Sequence, residues 1–183
     1  MQIMNKTLAP ELLIDKKRLQ EIYDLRVQAY EHSPKSIFIN KNKYPNGWSD
    51  HLDENNNTYH FIVKDNDKIV ASCRIALIDH IEKITDLDEA LEKYKIPDDR
   101  PFAYFSRLVV LKDYRKMGIP DSLDNIRINF LKEKTDAKFA IGWATPDRHP
   151  SLLKYGFKSL GLFNYKFINN EDAISVTFFC NYL

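Results

Sequence analysis

Residues 102–111 read FAYFSRLVVL. A run this apolar, with one charge in it, is the kind of strand that lies at the centre of a sheet, covered on both faces. It is followed by DYRKMGIPDS and then by LDNIRINFLKE. There, Leu123, Ile126, Phe130 and Leu131 recur at helical spacing and predict a buried helix face from about Pro120 to Glu133. A central strand that passes through a short turn into a helix confines the fold to sheets with helices on their faces.

The rest of the pattern agrees. Leu19, Ile22, Tyr23, Val27 and Tyr30 predict a helix over 11–31. Arg26 lies close to that apolar stripe, so its charge needs a partner. YHFIVK and KIVASCRIAL, joined by DND, predict an antiparallel hairpin. DLDEALEKY reads as a short helix and KFAIGWA as a strand. Thr145 is placed to cap a helix that begins at Pro146 and stops at Gly156. LFNYKFI and AISVTFFC predict a closing hairpin around NNED. Residues 32–58 are polar and rich in turn formers, a loop of the length that is functional or partly disordered. The order is that of a mixed α/β sheet flanked by helices, in a single domain over 1–183.

Several function classes are excluded by the bulk numbers. The net charge is +1 and no long basic tract is present. That speaks against broad electrostatic binding to nucleic acid or membrane. No run approaches the roughly 20 apolar residues of a membrane span, and the N-terminus lacks a leader pattern, so a cytoplasmic protein is expected. The two cysteines, Cys73 and Cys180, form no CxxC pair and have no nearby histidine at zinc spacing. They read as buried thiols in a reducing compartment, with no metal.

The turn between strand and helix carries the first functional signal. The first N–H groups of a helix have no partner in the helix, and the dipole adds roughly half a positive charge there. An anion such as a pyrophosphate fits that place. Gly118 allows close approach of backbone, and Arg115 and Lys116 add charge. The plain alternative is an ordinary strand-to-helix turn with a basic surface.

LVVLKDYRKMGIP resembles the acyl-CoA motif of the GNAT N-acyltransferase superfamily. Leu108, Val110 and Tyr114 match its strand and link, and Arg115 and Gly118 match its signature. Pro120 departs at the last position. YGF at 155–157 is similar to the end of the second GNAT motif. The resemblance implies an α+β type GNAT fold with a mixed, largely antiparallel central sheet. A second layer is similar to acyl-homoserine-lactone synthases and N-acyl amino acid synthases: Arg26, Asp50, Asp53, Arg74, and Ser106 with Arg107 in SRL, residues that the resemblance implies bind the acceptor between the Arg26–Asp53 loop and the strands of Arg74 and Arg107. An ion-pair network that simply holds the long loop down is the structural alternative for these residues.

The resemblance implies an acyl donor, which is acyl-CoA or acetyl-CoA, or an acyl carrier protein, and the amine of a small molecule as acceptor, such as an amino acid. A homodimer is compatible with it. It implies that the N–H near Leu108 holds the oxyanion, that Val109 and Val110 pair with pantetheine, and that Arg115, Lys116, Met117, Gly118 and Ile119 hold phosphate. Ser122 or Lys116 would compensate for the N–H missing at Pro120. Where these patterns often carry a glutamate base, this chain has Tyr104, whose ordinary pKa near 10 makes a poor base. The usual tyrosine acid falls at Leu152, which leaves His149 and Tyr155 as nearby candidates. Those two departures keep two alternatives open: a GNAT scaffold that binds an acyl thioester without turnover, and an acetyl-CoA-dependent acetyltransferase of proteins or small amines.

Overall fold

A computed structural model describes residues 8–81, 84–167 and 172–183. The elements are β1 (Pro10–Leu12), α1 (Leu19–Tyr30), β2 (Thr58–Asp65), β3 (Lys68–Ile78), α2 (Asp88–Lys93), β4 (Phe102–Val110), α3 (Ile119–Lys134), β5 (Phe139–Ala144), α4 (His149–Lys154), β6 (Lys158–Lys166) and β7 (Ala173–Tyr182). Seven strands form one sheet in the order β1-β2-β3-β4-β5-β7-β6. Every pairing is antiparallel except β4 with β5. The apolar run of 102–110 is thus the middle strand, as its composition requires. Alternation along β4 sends Phe102 and Tyr104 into a core with Trp48, Phe139 and Tyr165. Ala103 and Phe105 go into the opposite core, with Leu123 and Leu131 of α3.

Two irregularities of β4 position the site. First, its parallel pairing with β5 is short: Ala103 with Ala140, Tyr104 with Ile141, Phe105 with Gly142. Beyond those pairs the two strands part. Second, Ser72 pairs with Val109 while Arg74 pairs with Ser106, so Arg107 and Leu108 together oppose Cys73. This is a β-bulge, and Arg107 there has φ +57°. Bulges re-aim side chains and often sit beside sites.

The segment between α1 and β2 differs from its prediction. It is packed: Phe38, Ile39, Tyr44, Trp48 and Leu52 are buried in the same core as Tyr104. Its backbone lies on α1 at Gly47, where φ is +83° and an added Cβ would stand 2.6 Å from Tyr23 Cβ. Gly47→Ala is therefore expected to destabilise by about 1–3 kcal/mol, through overpacking and strain together. Urea unfolding measures this, and a change below a few tenths would mean that the contact is relaxed at no cost.

Smaller corrections have local causes. The helix predicted over 11–31 begins at Leu19, because Pro10–Leu12 joins the sheet edge against β2. Ile119, not Pro120, is the first residue of α3. On α3 the buried face is Ile119, Leu123, Asp124, Arg127, Ile128 and Leu131, with Ile126 and Phe130 only partly buried. Thr145 does not cap with its side chain; its hydroxyl donates to Asp147 at 2.5 Å, and a short 3-10 turn, Pro146–Arg148, precedes α4. Part of the NNED turn lies outside the described residues. Cys73 and Cys180 are free and buried, as predicted.

Candidate functional site

Where β4 and β5 part, a cleft opens between them. Its outer section, about 500 Å³, is lined by Leu108, Val109, Val110, Arg115, Pro120 and Arg148, among others. Its inner section, about 110 Å³, is lined by Phe105, Ser106, Arg107, Leu108, Trp143 and Phe157, with further residues from both faces of the sheet. Tyr30, Lys35, Leu108, Thr145 and Arg148 border both sections, so the two are one continuous cavity.

The strand register says which backbone faces the outer section. Val110 pairs with Ala71, and the N–H of Leu111 donates to Val70 O. In an antiparallel ladder that pattern marks a non-hydrogen-bonded pair. The N–H and C=O of Val110 therefore point away from β3, to the side that β5 has left. The Val110 carbonyl accepts from Arg115 Nε at 3.3 Å, and its N–H has no strand beside it.

The turn at the mouth of the cleft has left-handed backbone at two positions. Lys116 and Gly118 both have positive φ, 63° and 73°, and Gly118 is the cap residue of α3. An added Cβ at Gly118 would meet nothing within 4 Å, so the glycine is needed for its conformation and not for lack of room. Among the described residues no backbone bond is made by the N–H groups of Lys116, Met117, Gly118 or Ile119. Arg115, in contrast, is engaged: its Nη2 donates to Ala29 O at 2.6 Å. Ser122 donates its hydroxyl back to Ile119 O at 2.9 Å.

The six residues of the charged framework converge, but most of them away from the cleft. Arg26 binds Asp53 with both terminal nitrogens at 2.8 Å. Arg74 donates to Asp50 at 2.6 Å, Asp53 at 2.8 Å and the Ser106 hydroxyl at 2.9 Å. Arg107 donates to Asp50 at 2.6 Å and lies 4.1 Å over the Trp48 ring. Burial alone would raise both carboxyls. Arg107 and Arg74 beside Asp50, and Arg26 and Arg74 beside Asp53, hold them below the ordinary carboxylate range instead. Of the six, only Ser106 and Arg107 line the cavity. Arg26, Asp50, Asp53 and Arg74 clamp the long loop to β3 and β4, which corresponds to the structural alternative.

The three proton-transfer candidates are not in the cleft. Tyr104 is fully buried, with its hydroxyl on Asp86 at 3.2 Å, and burial raises its pKa far above the ordinary value. His149 stacks edge-on against Phe179 and faces Ala144 O. Tyr155 donates to Asp121 O at 3.0 Å. None of the three borders either section.

A second charged cluster escaped sequence reading. Asp124 on α3 pairs with Arg127 and Arg148 and accepts from the Ser151 hydroxyl at 2.8 Å. Arg127 lies 4.2 Å over the Phe105 ring. Both arginines line the inner section. The available signal was their helical phase: Asp124 and Arg127 share the face of Leu123 and Leu131. Among the described residues no cluster of potential metal ligands is present and no helix is long and apolar enough to cross a membrane.

Residues 19–151 match the model of the acetyltransferase (GNAT) family. No curated protein matches the sequence closely enough to carry an argument. Solved structures similar to this chain include ElaA of Escherichia coli, with a TM-score of 0.61 at 16% identity, over 94% of this chain and 97% of that one. FeeM, an N-acyl amino acid synthase from uncultured soil microbes, gives 0.63 at 12% over 95% and 90%. BjaI, a CoA-dependent acyl-homoserine lactone synthase solved with SAM and isopentyl-CoA, gives 0.64 at 13% over 91% and 77%. At these identities the likeness is one of fold.

Proposed function

The chain belongs to the acetyltransferase (GNAT) family, an acyltransferase class of enzymes, and from that premise we propose that it moves an acyl group from a pantetheine thioester, that of coenzyme A, to the amine of a small molecule. The observation that carries this reading is the outward-facing main chain of Val110 in a gap that β5 has vacated. A pantetheine arm has amide groups of its own and can lie there as an extra strand. The free N–H groups of Lys116 to Ile119 then meet its phosphates at the start of α3, where the helix dipole favours negative charge. Pro120 removes one donor from that set.

The chemistry needs few side chains. The neutral amine attacks the thioester carbonyl carbon; a C–N bond forms and the C–S bond breaks. The amine sheds one proton and the leaving thiolate takes up one. The negative charge that develops on the carbonyl oxygen is met by a main-chain N–H at the bulge near Leu108, a preorganised donor. No carboxylate lines the inner section. Asp147 borders the outer section, and no side-chain base is assigned; the amine's proton is released toward that open side. Arg26, Asp50, Asp53 and Arg74 act as positioning residues that fix the loop bearing Trp48.

Thermal melts of the pure protein with free CoA and acetyl-CoA test this. A ligand at a hundred times its Kd adds about 2.7 kcal/mol, roughly 5–10 °C for a chain of this size. Val110→Pro removes the outward N–H without breaking a ladder bond to β3. It is expected to weaken CoA by about three- to tenfold. Absence of any shift with CoA would turn the donor assignment toward a carrier protein, or toward a scaffold that has lost its cofactor. Unchanged affinity in Val110→Pro would overturn the pairing.

A further inference from the structure

The inner section presents cations from both faces of the sheet: Lys35, Arg107, Arg127 and Arg148. Arg107 is balanced. Together with Arg26 and Arg74 it faces Asp50, Asp53 and Asp86, three charges against three. The α3 side is not balanced, because Arg127 and Arg148 share the single carboxylate of Asp124. Arg127 is 3% exposed, and its Nε has no hydrogen-bond partner among the described residues. Among the described residues Lys35 has no ion pair. Its ammonium reaches the Thr145 hydroxyl at 3.5 Å and lies 6.0 Å from the Tyr30 ring centre. Asp147, which borders the outer section, acts on Lys35 only at longer range. Two cationic charges therefore stand at this chamber with no paired anion among the described residues. Unpaired charge drawn out of water is costly, and an entering anion relieves it.

The chamber's position says which part of a substrate brings the anion. This step rests on the reading of the outer section as the pantetheine groove. What lies beyond Leu108 is then the acyl end of the thioester. The chamber is about 110 Å³, well below the roughly 300–1,000 Å³ of ordinary ligand sites, so it suits a short chain. We propose that the transferred acyl group carries its own carboxylate: a short dicarboxylic half-thioester whose free end lies between Lys35 and Arg148, with Arg127 behind it. The carboxylate is a spectator. It stays on the acyl group through the transfer, and the bonds made and broken are those of ordinary thioester aminolysis.

Calorimetric titration of the full chain with succinyl-CoA and butyryl-CoA isolates the charge, since both acyl groups have four carbons. Succinyl-CoA is expected to bind about ten- to a hundredfold more tightly, the value of one charge-assisted hydrogen bond or more. Lys35→Met and Arg148→Gln should each bring the ratio down toward one, with partial recovery in Arg148→Lys. Equal affinity of the two ligands, with free CoA bound, overturns this proposal alone. If no CoA ligand binds, the reading of the cleft fails and this proposal with it. A ratio of one, with binding of a free amino acid in the presence of acetyl-CoA lost in Arg148→Gln, would assign the carboxylate to the acceptor and also overturn it.

Discussion

Replacing Asp53 by alanine will lower the unfolding free energy by about 3–5 kcal/mol, the cost of removing one partner from a buried ion pair. Its carboxylate accepts two bonds from Arg26, one from Arg74 and one from the N–H of Asp50 at 2.9 Å. All three side chains are fully or almost fully buried. Without Asp53, Arg26 keeps only the Trp48 carbonyl at 2.9 Å. Its charge then stands in the core with no counterion, and Arg74 must rely on Asp50. For a chain whose total stability is roughly 5–15 kcal/mol, the change is large. Asp53→Asn retains shape and some hydrogen bonds and should lose less. Urea titration with both variants decides the matter: a loss below 1 kcal/mol for the alanine would mean that water or rearrangement replaces the carboxylate.

Stability should also fall by about 3 kcal/mol as pH drops from 6.5 to 4, because of His60. This side chain is 4% exposed. One ring nitrogen, Nε2, lies 2.9 Å from Asp53 O, which makes it the N–H donor. The other, Nδ1, is buried without a partner among the described residues, so a second proton there meets no acceptor among them. Burial first, then the charges of Arg26 and Arg74, bring the folded pKa down from 6.5 to about 4, against a partial offset from Asp53. The sign follows directly. Between those values the unfolded chain binds a proton that the folded chain refuses, so the stability present above pH 6.5 is lost as pH falls through 4. Asp50 and Asp53 contribute in a lower window, since their folded pKa values lie below those of free carboxylates. His60→Gln keeps a donor for Asp53 O and removes the titration. Its stability should fall much less between pH 6.5 and 4, by only the early part of the carboxylate loss; an unchanged slope would assign the acid sensitivity elsewhere.

Much of the sheet was legible because its strands are long apolar runs separated by polar turns, and β4 could occupy no place but the middle. β1 was not, since three residues at an edge carry too little pattern to override an adjacent helical stripe. The loop of 32–58 read as polar because its buried residues, Phe38, Ile39, Tyr44, Trp48 and Leu52, follow no helix or strand period. They are held by tertiary contacts that composition does not encode. The framework residues were identified, yet their location in the interior depends on which way the bulge turns Arg107. His149 and Tyr155 had suitable chemistry in the sequence and unsuitable directions in the fold, and Tyr104, a poor base already by its residue type, is buried against Asp86. Asp124 and Arg127 were masked by their helix, whose charges look like a solvated face until α4 brings Arg148 and Ser151 against them.

The parting of β4 from β5 has a consequence for the molecule as a whole. The chain forms two antiparallel stacks, β1 to β4 and β5 to β7, stitched along a seam only three residue pairs wide. Whatever wedges into that seam ties the stacks together from outside. Each tenfold rise of such a ligand above its Kd adds about 1.4 kcal/mol to the folded state. The folded population, and with it the exposure of the chain to proteases, then becomes a gauge of how much ligand the surroundings supply.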